Sequence, residues 1–385
     1  MTPTVALEAL DARRMRLQKL SDLIQEEIAA LGGWMDFARF MELALHHPDL
    51  GYYSTGDRVF GRRGDFVTAP ELSGLFGATL ARQVAQVLGT TGGAILEIGA
   101  GTGRLACDLL ASLETVGAVP ASYLILEPSA GLRKQQKSSL GEHASRHLSR
   151  VGWLNKLPKR FNGIVICNEV LDALPVHLVI PSGGGLTERG LRVGTKGFEW
   201  SDKPLTGRRL YDTAGALKLP DGYLTEINLA ARDLVTSIGS EIESGVLLII
   251  DYGFGVREYY HPQRSQGTLM CHTRHHSHSN PLIDPGGQDI STHVDFSAIA
   301  SCGIATGLEL LGYTSQAEFL IGCGILELLS RAGPENPRTY IPLSKQVQML
   351  LNPSEMGELF KVMALGRGLG APLLGYSRSD RRRSL

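Results

Sequence analysis

The chain is expected to be an α/β protein built on a mostly parallel sheet, and three features of the sequence carry that expectation. The stretch AILEIGAGTGRLA, residues 94–106, runs from apolar residues through alternating glycines into a helical pattern. Strand-like apolar runs then alternate with helix-like segments, which implies right-handed βαβ units. The 385 residues, 43% hydrophobic and 20% charged, are enough for a large core with additions.

Residues 1–48 read as two helices: Leu17, Leu20, Ile24, Ile28 and Leu31 fall at helical spacing, and GGWMDFARFMELALHHP must end before Pro48. DLGYYSTGDRVFGRRGDFVTAP, residues 49–70, has no sustained period and reads as a binding loop. ELSGLFGATLARQVAQVLG is a helix that leads into the glycine motif. Beyond it, SYLILEPS is a strand and AGLRKQQKSSLGEH a helix. GIVICNEVLDALPV is a buried strand with a polar end, YLTEINLAARDLVTSIGSEI a helix, and GVLLIIDYGF another buried strand. Residues 176–222 break the alternation with glycine- and charge-rich, hairpin-like sequence and are expected to be an insertion.

The expected organisation is therefore a helical N-terminal cap with a covering loop (1–92), a first part of the core (93–175), the insertion (176–222) and a second part of the core (223–385). The last part holds a substrate-side loop at 255–300 and ends in RSDRRRS, expected as a solvated, disordered tail. The formal net charge of -1 gives no global attraction to nucleic acid or to anionic membrane. Five cysteines without a C-x-x-C pair suggest reduced thiols. Early acids (Glu8, Asp11, Asp22) argue against a transit peptide, and no apolar run approaches the ~20 residues of a membrane span. A soluble, cytoplasmic protein is expected.

The glycines alone do not name a ligand, because GTGRLA from Gly101 also fits the relaxed dinucleotide form G-x-G-x-x-A. Glu97 decides. It lies two positions before Gly99, and E-x-G-x-G-x-G, with Gly101 and Gly103, is the pattern of class I methyltransferases that use S-adenosylmethionine (SAM). A carboxylate there can accept from the ligand's ammonium, while glycine lets the backbone come close. A dinucleotide site would want no anion beside its pyrophosphate. Glu127, ending the next strand, can take ribose hydroxyls in either kind of site.

Asn168 and Glu169 stand where a buried strand reaches the C-terminal edge of the sheet, the ligand crevice of open α/β folds. Methyl transfer is an in-line displacement, so most of the catalysis is positioning. A carboxylate helps most where the nucleophile is cationic or must lose a proton. Arginine is such a nucleophile, and Glu169 and Asp172 are the candidates to grip it. Asp251 and Tyr252 end a further strand and are placed on the substrate side. So are His293 and Asp295, which alternate like one face of a short strand. The histidine-rich stretch around His272, His275, His276 and His278 matches no metal-ligand spacing, and no metal is expected.

Together GYYS, FGRRGDFVTAPELSGLFG, LEIGAGTGRLACDLL, LEPSAGLRKQQ, NEVLDALPVH, IIDYGF, GTLMCHTRHHSHSNPLIDPGGQDISTHVDF, GYTSQAEFL and MGELFKVMALGRG resemble the MidA-type SAM-dependent methyltransferases over residues ~49–368. His272 stands where members of that family often carry an aromatic residue. The resemblance implies a Rossmann-like core with a helical cap and an inserted substrate-side subdomain. It implies SAM at Glu97, Gly99, Gly101 and Glu127, with Asn168 and Glu169 beside it and a loop carrying Asp65, Phe66 and Thr68 over it. It further implies a protein substrate methylated on arginine, with a respiratory complex I subunit as the acceptor and the mitochondrial matrix as the location in a eukaryote. Methylation of a small molecule, a SAM-binding assembly chaperone without methyl transfer, and a homodimer stay open.

Overall fold

The computed structural model describes residues 3–54, 68–273 and 276–385, with side chains from residue 11 onward. Its centre is a sheet whose seven main strands are β1 (Ala94–Ile98), β2 (Tyr123–Leu126), β3 (Val151–Leu154), β4 (Phe161–Asn168), β5 (Ile242–Phe254), β6 (Glu309–Ser315) and β7 (Phe360–Arg367). Their spatial order is β3-β2-β1-β4-β5-β7-β6. The first five are mutually parallel, with Ile98 opposite Leu126 on one side and Cys167 on the other. β7 runs antiparallel between β5 and β6. The order reverses between β1 and β4, so the crevice outside their C-terminal ends is the topological switch point where doubly wound sheets bind ligands.

Burial on both faces explains the nearly unbroken apolar strands. Ile164 and Ile166 of β4 pack with Ile95, Ile125 and Leu248 under the helices Gly74–Thr91 and Arg104–Thr115. Their alternates Val165 and Cys167 join Leu96, Leu247 and Ile249 on the other face, under Leu229–Glu241 and Phe296–Ala305. The period of two in the strand thus feeds two separate cores.

The helices Pro3–Ala30 and Phe37–His46 share a third core with residues from the 176–191 and 271–290 segments. Leu20, Ile24, Phe37 and Phe40 meet Val176, Leu178 and Leu191, and also Cys271 and Ile290. A short strand, Met35–Asp36, pairs with Gly185–Gly194, which pairs in turn with His177–Ser182 and Gly197–Pro204. Thr225–Ile227 completes that antiparallel sheet. Residues 225–227, expected to lie in a helix, are therefore a strand, and the helix begins at Leu229, capped by Asn228. The edge of His177–Ser182 recruits them, a tertiary pairing that helical periodicity cannot report.

The C-terminal residues also differ from expectation. They are not a solvated tail: the Arg381 N–H donates to the Tyr313 carbonyl at 2.6 Å, and its guanidinium forks onto Glu358 at 2.6 and 3.2 Å. Arg382 donates to the Leu310 carbonyl at 2.8 Å. β6 is an edge strand, and the charged tail supplies partners for its open backbone groups.

Candidate functional site

The switch point opens into a cavity of about 390 Å³, within the range of small-molecule sites. At one end lies the turn after β1. Gly99, Gly101 and Gly103 have φ of 66°, 51° and 82°, the left-handed region that glycine enters without strain. A Cβ at Gly99 would stand 3.2 Å from Val170, and one at Gly103 3.2 Å from the backbone of Gln136. Gly99 and Gly101 line the cavity, whereas Gly103 is the N-cap of Arg104–Thr115 and packs on Gln136.

Two acids face this end. Glu97 is buried, and the Tyr123 hydroxyl donates to its Oε2 at 2.6 Å. Burial, opposed by that hydrogen bond and reinforced by Glu127, pushes its carboxyl up to about 7. Glu127 accepts from the Ser129 N–H at 3.0 Å and from Gln136 Nε2 at 3.1 Å. Gln136 also donates to the Gly101 carbonyl at 3.0 Å, which ties the glycine turn to the acid on the next strand. A glycine cradle with buried acids on both sides suits a ligand that carries an ammonium and vicinal hydroxyls.

The other end is built on the turn after β4. Glu169 has φ of 53°, a strained value for a side-chain-bearing residue, and its N–H donates to the Ile250 carbonyl at 2.9 Å. The carboxylate accepts from Asn168 Nδ2 at 3.2 Å and weakly from the Ala69 N–H at 3.4 Å. Burial and then the neighbouring Asp172 push Glu169 up to about 8. Asp172 itself is held well above the carboxylate range by burial, Asp251 and Asp289. Asn168 Oδ1 and Asp172 Oδ1 are buried without a hydrogen-bond partner among the described residues. Thr68 is buried and lines the cavity, as does Tyr252; Asp65 and Phe66 lie outside the described residues.

Three residues expected on the substrate side do other work and are not among the described cavity-lining residues. Asp251 turns away to the β4 turn, where its Oδ2 accepts from the N–H groups of Val170, Leu171 and Asp172. Asp295 caps Phe296–Ala305 through the Ala298 N–H and takes the Tyr260 hydroxyl at 2.9 Å. His293 lies outside a strand and packs against the Phe254 and Tyr252 rings, and burial pushes its imidazole down to about 4. Among the described histidines, His272 lines the cavity and His278 accepts from the Asn280 N–H.

His46, Tyr53, Glu71 and Asp289 also line the cavity; none is singled out by local spacing, although Tyr53, Glu71 and Asp289 lie in the segments that carry the family resemblance. Glu71 accepts from the Thr102 hydroxyl in the glycine turn. His46 stacks on Tyr53 and shares a 2.9 Å hydrogen bond with the Ala173 carbonyl. Tyr53 donates to Asp289 at 2.7 Å, and its carbonyl accepts from Ser129. Only the fold brings these segments together.

Comparison with known proteins places this geometry. Residues 79–314 match the family described as "Putative S-adenosyl-L-methionine-dependent methyltransferase". A crystal structure from Burkholderia thailandensis, bound to S-adenosyl-homocysteine, is 44% identical, with a TM-score of 0.94 over 97% of this chain and 98% of that one. A Drosophila melanogaster protein named protein arginine methyltransferase NDUFAF7 homolog, mitochondrial, is 28% identical over 90% of this chain and 86% of its own length. The Homo sapiens protein named protein arginine methyltransferase NDUFAF7, mitochondrial, is 26% identical over 86% of this chain and 80% of its own length. With the family match spanning more than half of its length, the chain belongs to the SAM-dependent methyltransferases and takes SAM as its cofactor.

Proposed function

We propose that this methyltransferase modifies arginine side chains of a protein substrate, with Glu97, Gly99, Gly101 and Glu127 holding the cofactor and Glu169 and Asp172 serving the acceptor. The observation that carries this is the wall at the far end of the cavity, where Asp172 Oδ1 is buried with no partner among the described residues. A guanidinium, charged at every physiological pH and able to donate in a planar fork, is the acceptor group that such carboxylates suit. The names of the fly and human relatives support the same acceptor.

Bound SAM supplies a methyl group on a sulfonium sulfur, electrophilic at carbon. Glu97 would hold the cofactor's ammonium, and Glu127 would hold its ribose hydroxyls. Glu169 orients the acceptor nitrogen and takes, on its carboxylate oxygen, the proton that this nitrogen sheds as it is methylated. The finer assignments, a complex I subunit as acceptor, a homodimer, and a cytoplasmic or matrix location, rest on the family resemblance and on composition. Among the described residues no helix is long and apolar enough to cross a membrane.

The test is transfer of labelled methyl from SAM to a protein extract, followed by hydrolysis. Label in methylarginine is the expected result. Label confined to small molecules, or no transfer by a chain that binds cofactor, overturns the proposal in favour of a small-molecule enzyme or a chaperone.

Cofactor binding should itself depend on pH. Glu97 holds its proton to about pH 7 in the ligand-free chain, and the ammonium favours the carboxylate, so binding releases that proton. Affinity for S-adenosyl-homocysteine should therefore rise as pH goes from 6 towards 7 and level off above it. Titration calorimetry of Glu97→Gln should show weaker binding with this slope removed; an unchanged slope would mean that another group binds the ammonium.

A further inference from the structure

We propose that His46 is a positioning residue for the acceptor: its Nδ1 lone pair takes one N–H of the incoming guanidinium on the Asp172 side of the cavity. The inference rests on the arginine proposal above and adds a residue that neither the glycine motif nor the strand-end acids supply. His46 ends the helix Phe37–His46, far in sequence from the β4 turn, and lines the cavity together with Asp172 and Glu169.

The tautomer follows from the ring's partner. His46 Nε2 lies 2.9 Å from the Ala173 carbonyl oxygen. A carbonyl only accepts, so Nε2 carries the proton and Nδ1 keeps a lone pair. Nδ1 itself has no hydrogen-bond partner among the described residues. Ala173 follows Asp172 in the chain, so the same bond docks the ring on the turn that carries Asp172. The Tyr53 ring supports one face, with centroids 5.6 Å apart and planes at 20°. His46 is exposed along the cavity, yet the protein enclosing it pushes the imidazole below its ordinary range, against the opposite pull of the Ala173 bond and of Glu42. At neutral pH the ring is therefore an uncharged acceptor.

Charge balance gives this neutrality a use. Glu169 and Asp172 stand in the same cavity, and each is pushed up by burial and by neighbouring carboxylates. A further carboxylate would deepen that repulsion, whereas an imidazole accepts without adding charge. The N–H groups of an alkylguanidinium all point outward in one plane and each seeks an acceptor. The wall offers the Glu169 carboxylate, with Asn168 Oδ1 and Asp172 Oδ1 buried and unpartnered among the described residues. A buried acceptor left without a donor is costly, and a ligand N–H removes that cost. His46 Nδ1 adds an acceptor from a separate segment, on a ring fixed by Ala173 and Tyr53. An acceptor hydroxyl brings a single donor and cannot serve this set.

The test is nitrogen NMR of the full chain, isotope-labelled at histidine and saturated with S-adenosyl-homocysteine at neutral pH, with ethylguanidinium as the probe. The His46 signals, assigned by their loss in His46→Gln, should show a proton on Nε2 and a bare Nδ1 before the probe is added. Saturating ethylguanidinium should move the Nδ1 signal upfield, the direction of a lone pair that takes up a hydrogen bond. Tetramethylammonium, a cation without N–H, should leave it in place. His46→Phe keeps a ring against Tyr53 but has no nitrogen. It should weaken ethylguanidinium roughly fivefold or more, the worth of one lost hydrogen bond, and leave S-adenosyl-homocysteine affinity within about twofold, a readout that also reports folding. His46→Gln, whose amide can donate to Ala173 or accept through its oxygen, should restore part of the loss. A proton on Nδ1, an unmoved Nδ1 signal at saturation, an equal shift with tetramethylammonium, unchanged affinity in His46→Phe, or no binding of the probe by the wild-type chain overturns the inference. Methylarginine in the labelling experiment together with an unmoved Nδ1 would remove only the role of His46. A moved Nδ1 without methylarginine would remove only the arginine product.

Discussion

Replacing Glu169 by glutamine should lower the rate of methyl transfer by roughly 10²- to 10⁴-fold, the usual contribution of a positioned acid–base group, while S-adenosyl-homocysteine affinity stays within threefold. Glutamine keeps the size of the side chain and can still accept from Asn168 Nδ2 and the Ala69 N–H. What it cannot do is take a proton. The same group predicts a pH profile with a definite sign. Burial and Asp172 keep Glu169 protonated up to about pH 8 in the ligand-free chain, so the rate should rise with pH along a limb set by this carboxyl. A bound cation moves the limb to lower pH. Single-turnover rates of the wild-type and Glu169→Gln chains across pH 6 to 9 decide it. A Glu169→Gln rate within tenfold of wild type, or a variant that keeps the wild-type limb, would remove Glu169 from proton transfer.

The cofactor end of this site is legible in the sequence for a physical reason. Glu97, Gly99, Gly101 and Gly103 are set by one strand and one turn, so their spacing is local and survives as a written pattern. The acceptor end is only half legible. Asn168 and Glu169 sit at a strand end that apolar patterning locates, but Tyr53 and Asp289, 236 positions apart, meet through the packing of the N-terminal helices, the 176–191 residues and the 270–291 segment. No period or spacing records such a meeting. The two-residue strand Met35–Asp36 escapes for the same reason, since its extended form comes from pairing with Gly190 and Leu191. The arginine-rich tail misleads in another way. Its charge count matches a solvated segment, yet the carbonyls of β6 and the Glu358 carboxylate give those charges partners.

Strand-end acids are where sequence reasoning meets its hardest case, because Glu97 and Asp251 read alike and do opposite things. Alternation along β5 turns Tyr252 to the cavity and Asp251 away from it, into the backbone of the β4 turn. There Oδ2 accepts N–H groups from Val170 at 3.3 Å, Leu171 at 2.9 Å and Asp172 at 3.3 Å, and Oδ1 accepts from Tyr252 at 2.9 Å. The side chain is fully buried. Asp251→Ala would strand these donors away from water, at about 1–3 kcal/mol for each one left unsatisfied. Relaxation and entering water will recover part of that, so a loss of roughly 3–5 kcal/mol in unfolding free energy is expected, the scale of a broken buried charge interaction. Asp251→Asn should lose less, since its carbonyl oxygen can keep one side of the arrangement while its amide opposes the other. Activity should fall further than stability. The strained φ of 53° at Glu169 costs about 1–3 kcal/mol and persists only because the turn is held from below. Once Asp251 is gone, Glu169 can relax and its carboxylate leaves the acceptor wall. Urea unfolding and transfer rates on the same preparations read both effects. An Asp251→Ala chain within 1 kcal/mol of wild type would show that the turn holds itself. A destabilised chain with normal rates would separate the turn's stability from the placement of Glu169.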